Sequence, residues 1–218
     1  EEIIEFTRKG MSFLVDMGCS IICIACNTAT SVAASIVRKE FDVPILGIEP
    51  AVKPAVNRHN SNKRVLVLAT PVTIREKKLH KLIDDIDENM IVDLKALPNL
   101  PVYAEKGIFE GGEIEAYLHS EFNDIDISQY ECIVLGCTHF VHFVPVLKKL
   151  FGEDISFIDG SEGTARNIYR LCKEQGFVSS NIYSLHYYKS GKLVNNEDDL
   201  FYVNDIIKRI EVIGNCTN

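Results

Sequence analysis

Apolar residues recur at helical spacing over residues 1–17, at Ile3, Ile4, Phe6, Met11, Leu14 and Val15, and Gly18 ends the run. A short, continuous apolar stretch over 20–25 follows, the pattern of a strand buried in a parallel sheet. A helix is expected from about Thr30 to Glu40, and Val43 to Ile48 reads as a second strand. This alternation is βαβ grammar, which predicts a mostly parallel sheet. Glu49-Pro50 and Pro54 break the pattern, and the polar stretch 57–63 marks a crossover.

A second α/β unit starts at Arg64. Its expected elements are a strand Val65–Ala69, a helix from about Thr73 to Asp85, a strand near Met90–Leu94, a loop holding Pro98 and Pro101, and a helix over 111–122. A strand at 132–136, a helix at about 142–150 and a strand Ile155–Ile158 complete it. Gly163 to Gln175 reads as a helix returning to the first unit, Tyr183 to Tyr188 as an edge strand, and Asp198 to Ile210 as a closing helix after the solvated turn Asn195–Asp199. The fold class predicted is α/β: two similar domains, each a mostly parallel sheet flanked by helices, with the active site in the cleft between them. The boundaries expected are 1–52 plus 163–218 for the first domain and 53–162 for the second.

Composition narrows the function classes. Hydrophobic residues are 46% of the 218, enough for full cores. The formal net charge of -8, with no Lys/Arg cluster, argues against nucleic acid or an anionic membrane as the main partner. No apolar run has the length of a membrane span, and no signal peptide precedes the first helix. Seven cysteines, an odd number sitting mostly in apolar runs, do not form a secreted disulfide framework and point to a reducing cytoplasm.

Two of those cysteines stand in matching settings. Cys26 closes the run Ile21–Ala25 and is followed by Asn27-Thr28; Cys137 closes Cys132–Gly136 and is followed by Thr138-His139. Each is predicted at the carboxyl end of a strand, where open α/β sheets place ligands, and just before a helix whose N–H groups favour a thiolate or a substrate carboxylate. Thr70 and Thr73 follow the strand at Ala69 in an equivalent position and read as further donors to a small anionic ligand. Inverting an α-carbon needs one group to take a proton from one face and another to return it on the other, a task two opposed thiols can perform. His139 and a carboxylate could tune the Cys137 thiol.

These motifs resemble the glutamate racemases of bacterial cell-wall synthesis, within the cofactor-independent aspartate/glutamate racemase superfamily. The residues that carry the resemblance are Ala25-Cys26-Asn27-Thr28-Ala29-Thr30, Val43–Pro50 and Leu135-Gly136-Cys137-Thr138-His139, with weaker matches at Thr70–Thr73 and Pro101–Gly107. The resemblance implies that Cys26 and Cys137 are the catalytic acid/bases. It implies that Asn27, Thr28, Thr70, Thr73 and Thr138 bind the substrate's carboxylates and amino group, and that Glu105 and His139 support Cys137. It implies no pyridoxal phosphate or metal, glutamate as the small-molecule partner, D-glutamate for peptidoglycan as the product, and a homodimer as the assembly. The family usually opens with a strand carrying an Asp-Ser motif and then a Pro-Tyr-Gly segment; this chain starts Glu1-Glu2, at the helix before the first cysteine strand. A fragment, or a relative with weak or no activity and an exposed sheet edge, is the expectation that follows.

Simpler readings stand beside these. Cys19, Cys23, Cys132, Cys172 and Cys216 read as core or incidental, and Cys23-x-x-Cys26 has no second pair at zinc-site spacing. His59, His80, His119 and His186 read as surface residues; His142 could be either. Glu105 could be only a loop carboxylate, and Thr70 only a helix cap. Rival functions are an aspartate or other amino-acid racemase of the superfamily, or a truncated, non-catalytic binding relative.

Overall fold

The computed structural model describes residues 1–58, 62–177 and 184–214. Three positions read above, His59, Tyr183 and Cys216, lie outside them. The first elements are α1 (Glu2–Asp16), β1 (Ile22–Ile24), α2 (Asn27–Glu40), β2 (Ile45–Gly47) and α3 (Val52–Arg58). Then come β3 (Arg64–Ala69), α4 (Pro71–Arg75), α5 (Lys77–Ile86), β4 (Val92–Ala96), α6 (Leu100–Glu105) and α7 (Gly112–Phe122). The chain closes with β5 (Tyr130–Leu135), a 3-10 segment Thr138–Phe143, α8 (Val144–Phe151), β6 (Ser156–Asp159), α9 (Ser161–Glu174), the short pair β7 (Tyr188–Lys189) and β8 (Lys192–Leu193), and α10 (Glu197–Gly214).

β1 and β2 pair in parallel, and a separate sheet runs β4-β3-β5-β6 with every pairing parallel. Helices flank both, as the apolar runs require. In β3 and β5 the alternation of strand side chains splits the core into two layers. Leu66, Leu68, Ile133 and Leu135 join α6, α7 and α8 on one face, and Val65, Val67, Cys132 and Val134 join α3 and α5 on the other. Burying an aliphatic side chain of this kind contributes about 2 kcal/mol. The first sheet has its own core of Met11, Ile22, Ile24, Ala34, Val37 and Ile45. α9 packs against β2, and α10 against the 3-10 segment and, through Ile213, the large core.

The structure revises several expected boundaries. The helix read from Thr30 begins at Asn27, so Asn27 and Thr28 occupy its first turn. The helix over 73–85 is two helices, because the backbone at Glu76 is extended between α4 and α5. The stretch around Pro98 and Pro101, read as a loop, contains α6: Pro101 sits in the first turn, where a missing N–H costs nothing. The helix at 142–150 is preceded by a 3-10 turn that starts at Thr138.

Three glycines set how closely the parts approach. A side chain at Gly47 would collide with Thr30 of α2, so α2 lies directly on β2. A Cβ at Gly136 would stand 2.9 Å from the Leu68 carbonyl oxygen and 3.5 Å from Pro50. One at Gly160 would run into the Glu49 carbonyl and Ile48. Gly136 and Gly160 follow β5 and β6, whereas Ile48 to Pro50 follow β2, so the two sheets meet where their strands end.

Candidate active site

Cys26 leaves β1 and caps α2: its sulfur accepts the Ala29 N–H at 3.5 Å, and the residue is solvent-exposed. The sulfur therefore sits at the positive end of a helix, a setting that favours negative charge. Asn27 behind it is buried, and its Oδ1 has no hydrogen-bond partner among the described residues. A buried acceptor without a donor is costly, and a ligand N–H in the cleft would satisfy it.

The expected threonines do come together. The Thr28 hydroxyl lies 2.9 Å from that of Thr70 and 3.0 Å from that of Thr73, and Thr70 donates to Thr73 at 3.1 Å. Thr70 also caps α4 by accepting the Thr73 N–H at 3.3 Å. Its cap role is thus real, and it shares the same atom with the cluster. Three hydroxyls this close can reorient their protons toward an incoming carboxylate, since each rotates freely about its C–O bond. Asn27 and Thr73 also line a cavity of ≈ 90 Å³ walled by Ile48, Leu79 and Leu82, with the Lys78–Glu49 ion pair at its side. That cavity borders the threonine cluster and reaches neither thiol.

Cys137 leaves β5 and caps the 3-10 segment. It is buried, and burial pushes its thiol up to about 11, with negative charge at Cys26 adding to the rise. The N–H groups of His139 and Phe140 pull the other way. His139 Nδ1 lies 3.8 Å from the Cys137 sulfur, and its Nε2 lies 3.0 Å from Glu105 Oε1. Thr138 reaches across to the first sheet, donating to the Ala25 carbonyl at 3.3 Å. Side-chain contacts thus join Thr28, Thr70 and Thr73 in one cluster and Cys137, His139 and Glu105 in another; Asn27 lines the cavity beside the first, and Thr138 ties the second to the Ala25 carbonyl, next to Cys26 in sequence.

Among the described residues, the other cysteines and histidines make none of these contacts. Cys132 is buried in the core and Cys23 half-buried, and burial raises both thiols. His142 is buried and stacked on Phe109 with ring centroids 4.9 Å apart; burial, followed by the charges of Arg209 and His139, lowers it to about 4, so it is neutral at physiological pH. Sequence reasoning overlooked Arg209, which contacts the His142 carbonyl from α10; nothing in its local pattern distinguishes it from a surface arginine.

Parallel α/β sheets that carry a thiol, an amide and hydroxyls at the ends of their strands define an α/β enzyme for a small polar ligand. A family model for Asp/Glu/Hydantoin racemase matches residues 7–168, and the chain belongs to that family. It is 38% identical over 216 residues to a glutamate racemase of Lachnospira eligens, covering 97% of this chain and 82% of that one. The crystal structure of glutamate racemase from Campylobacter jejuni subsp. jejuni superposes with a TM-score of 0.72 at 26% identity, over 94% of this chain and 79% of that one. The glutamate racemase of Francisella tularensis subsp. tularensis, solved in complex with D-glutamate, superposes at 0.68 with 25% identity, over 83% of this chain and 67% of that one.

Proposed function

We propose that the protein is a glutamate racemase that inverts the α-carbon with two cysteines and no cofactor. The observation that carries the mechanism is the unlike setting of the two thiols. Two-base inversion needs one thiolate and one thiol at the start of each turnover. Cys137, raised to about 11, is protonated at neutral pH and supplies the acid. Cys26, exposed at the N-terminus of α2, is assigned as the base.

The thiolate of Cys26 takes the α-proton, and the C–H electron pair stays on carbon as a carbanion stabilised by the adjacent carboxylate. The S–H proton of Cys137 then passes to the opposite face, leaving a thiol at Cys26 and a thiolate at Cys137. That end state is the starting state for the other enantiomer. The N–H groups of His139 and Phe140 offset the new charge on Cys137, and His139, backed by Glu105, can exchange its proton. Thr28, Thr70, Thr73 and Thr138 hold the carboxylates, and Asn27 Oδ1 accepts from the amino group.

We assign residues 1–52 and 163–218 to one domain and 53–162 to the other, with the substrate between them. The packing of α9 on β2 supports the return of the chain to the first unit, whereas α10 packs on the 3-10 segment and the large core of the second. Among the described residues no helix is long and apolar enough to cross a membrane. A cytoplasmic, peptidoglycan-directed role and a homodimeric assembly complete the reading.

The test is α-proton exchange of L-glutamate in D₂O, followed by NMR and chiral analysis, with L-aspartate in parallel and no cofactor added. Deuterium incorporation with formation of D-glutamate is expected. Folded protein that exchanges neither amino acid overturns the proposal, and faster exchange of aspartate reassigns the substrate.

A further inference from the structure

The cavity of ≈ 90 Å³ beside the threonine cluster lies where α2 meets α4 and α5. Asn27, Thr30 and Ser31 of α2 and Ile48 after β2 wall one side, and Thr73 of α4 with Leu79 and Leu82 of α5 wall the other. Most polar groups of this wall already have partners. The Thr30 hydroxyl donates to the Ile24 carbonyl at 3.2 Å, the Ser31 hydroxyl donates to the Thr28 carbonyl at 2.9 Å, and the Thr73 hydroxyl belongs to the cluster. Both charges in the wall, Lys78 and Glu49, pair with each other. Asn27 is the exception. It is 4% exposed, and its Oδ1 is shut off from bulk water with no partner among the described residues.

We propose that this cavity is an inhibitory side pocket for a compact, neutral, largely apolar molecule whose one N–H donates to Asn27 Oδ1. The proposal rests on the reading that Asn27 Oδ1 receives the substrate's amino group. Size, polarity and charge each narrow the ligand. An apolar cavity of about 150 Å³ takes benzene, so ≈ 90 Å³ suits a five-membered ring. The faces of Ile48, Leu79 and Leu82 favour carbon over water. A water would find one unmet buried side-chain group among the described residues, short of the two to four partners that hold a buried water in place. An ion does not suit the site, because Lys78 and Glu49 already satisfy each other and an unpaired buried charge is costly. A donor to Oδ1 relieves the cost of the orphaned acceptor and takes that acceptor from the substrate. The cavity reaches neither thiol, so its occupant acts on substrate binding and not on proton transfer.

The test compares pyrrole with furan, rings of one shape that differ in the N–H, on the full chain. In NMR titrations pyrrole is expected to shift the Leu79 methyls and the Asn27 side-chain amide. Furan should bind about fivefold more weakly, the worth of one hydrogen bond. In steady-state racemisation, saturating pyrrole should raise KM for glutamate about fivefold, the lower end of typical coupling between two ligands, with kcat nearly unchanged. Glutamate should weaken pyrrole binding by the same factor, as linkage requires. Leu82→Phe, which fills the cavity, should abolish both the shifts and the KM effect. If that variant does not fold, Ser31→Leu fills the space from the opposite wall and decides by the same signals. Folded protein without pyrrole shifts, furan binding equal to pyrrole, shifts that survive the filled cavity, or binding that leaves KM alone each overturn the proposal. A chain that racemises no glutamate, yet binds pyrrole in a way that Leu82→Phe abolishes, would sink the racemase reading and leave the binding pocket standing.

Discussion

His139 bridges Glu105 and Cys137, with Nε2 3.0 Å from the carboxylate and Nδ1 3.8 Å from the sulfur. A carboxylate on one ring nitrogen favours a proton there and leaves the other nitrogen as an acceptor facing the thiol. In the proposed two-cysteine mechanism the ring would trade a proton with Cys137. Glu105→Gln keeps the shape and removes the charge. Glutamate turnover should drop about tenfold, less than the roughly hundredfold or more that a general acid or base itself provides. The kcat-against-pH profile should change shape while the melting temperature holds; an unchanged profile would return Glu105 to a plain loop carboxylate.

The two thiols should not be interchangeable with any third cysteine. Cys26→Ala and Cys137→Ala are each expected to lower racemisation by about a hundredfold or more, the range for loss of a general acid or base. Cys132→Ala, in the core away from the cleft, should leave the rate alone and cost stability only. Circular dichroism of D- and L-glutamate during turnover reads the first effect, and urea denaturation the second. Full activity in either of the first two variants would falsify the two-cysteine mechanism.

Thr73 is almost fully buried within the hydroxyl cluster. Thr73→Val removes its hydroxyl at nearly constant volume. KM for glutamate should rise about tenfold, the equivalent of one hydrogen bond to a charged group. kcat should change much less. A KM equal to that of the parent would place the carboxylate elsewhere.

Gly160→Ala tests the close approach of the sheets. Its methyl would occupy the space of the Glu49 carbonyl, so backbone must shift. A loss of about 1–3 kcal/mol is expected, the usual cost of overpacking, with glutamate turnover falling too because Glu49 and Pro50 adjoin the site. Urea denaturation with unchanged stability would show that the junction is slack.

Away from the site, Asp93 receives the Arg64 guanidinium, with one contact at 2.6 Å, and the Tyr130 hydroxyl at 3.0 Å. Hydrogen bonding to Arg64 leads the effects that hold its carboxyl below the usual 3.8, while burial opposes it. A carboxyl lowered in the folded state stabilises the fold above about pH 4 and loses that contribution as pH falls through its folded value. Both side chains are about one-third exposed, so the contribution is under about 1 kcal/mol. Asp93→Asn should therefore flatten part of the loss of stability below pH 4 in acid titrations followed by far-UV circular dichroism.

The sequence by itself determined the apolar strands, the parallel α/β class, and the placing of Cys26 and Cys137 at strand ends, because burial on both faces writes a local pattern of unbroken apolar residues. It also placed Thr70 and Thr73 after β3. What it misread was local too: Pro101 looked like a breaker but starts α6, since Leu100 and Ala104 are buried in the large core and hold that turn in place. Only the tertiary structure decided which polar groups meet. Thr28 joins Thr70 and Thr73, Thr138 reaches Ala25, Glu105 reaches His139, and Arg209 reaches His142. Each of these contacts spans at least 34 positions, and periodicity within one element carries no information across such a gap. The approach of the sheets at Gly136 and Gly160, and the seating of α10 by Ile213, bring those distant side chains within hydrogen-bonding distance.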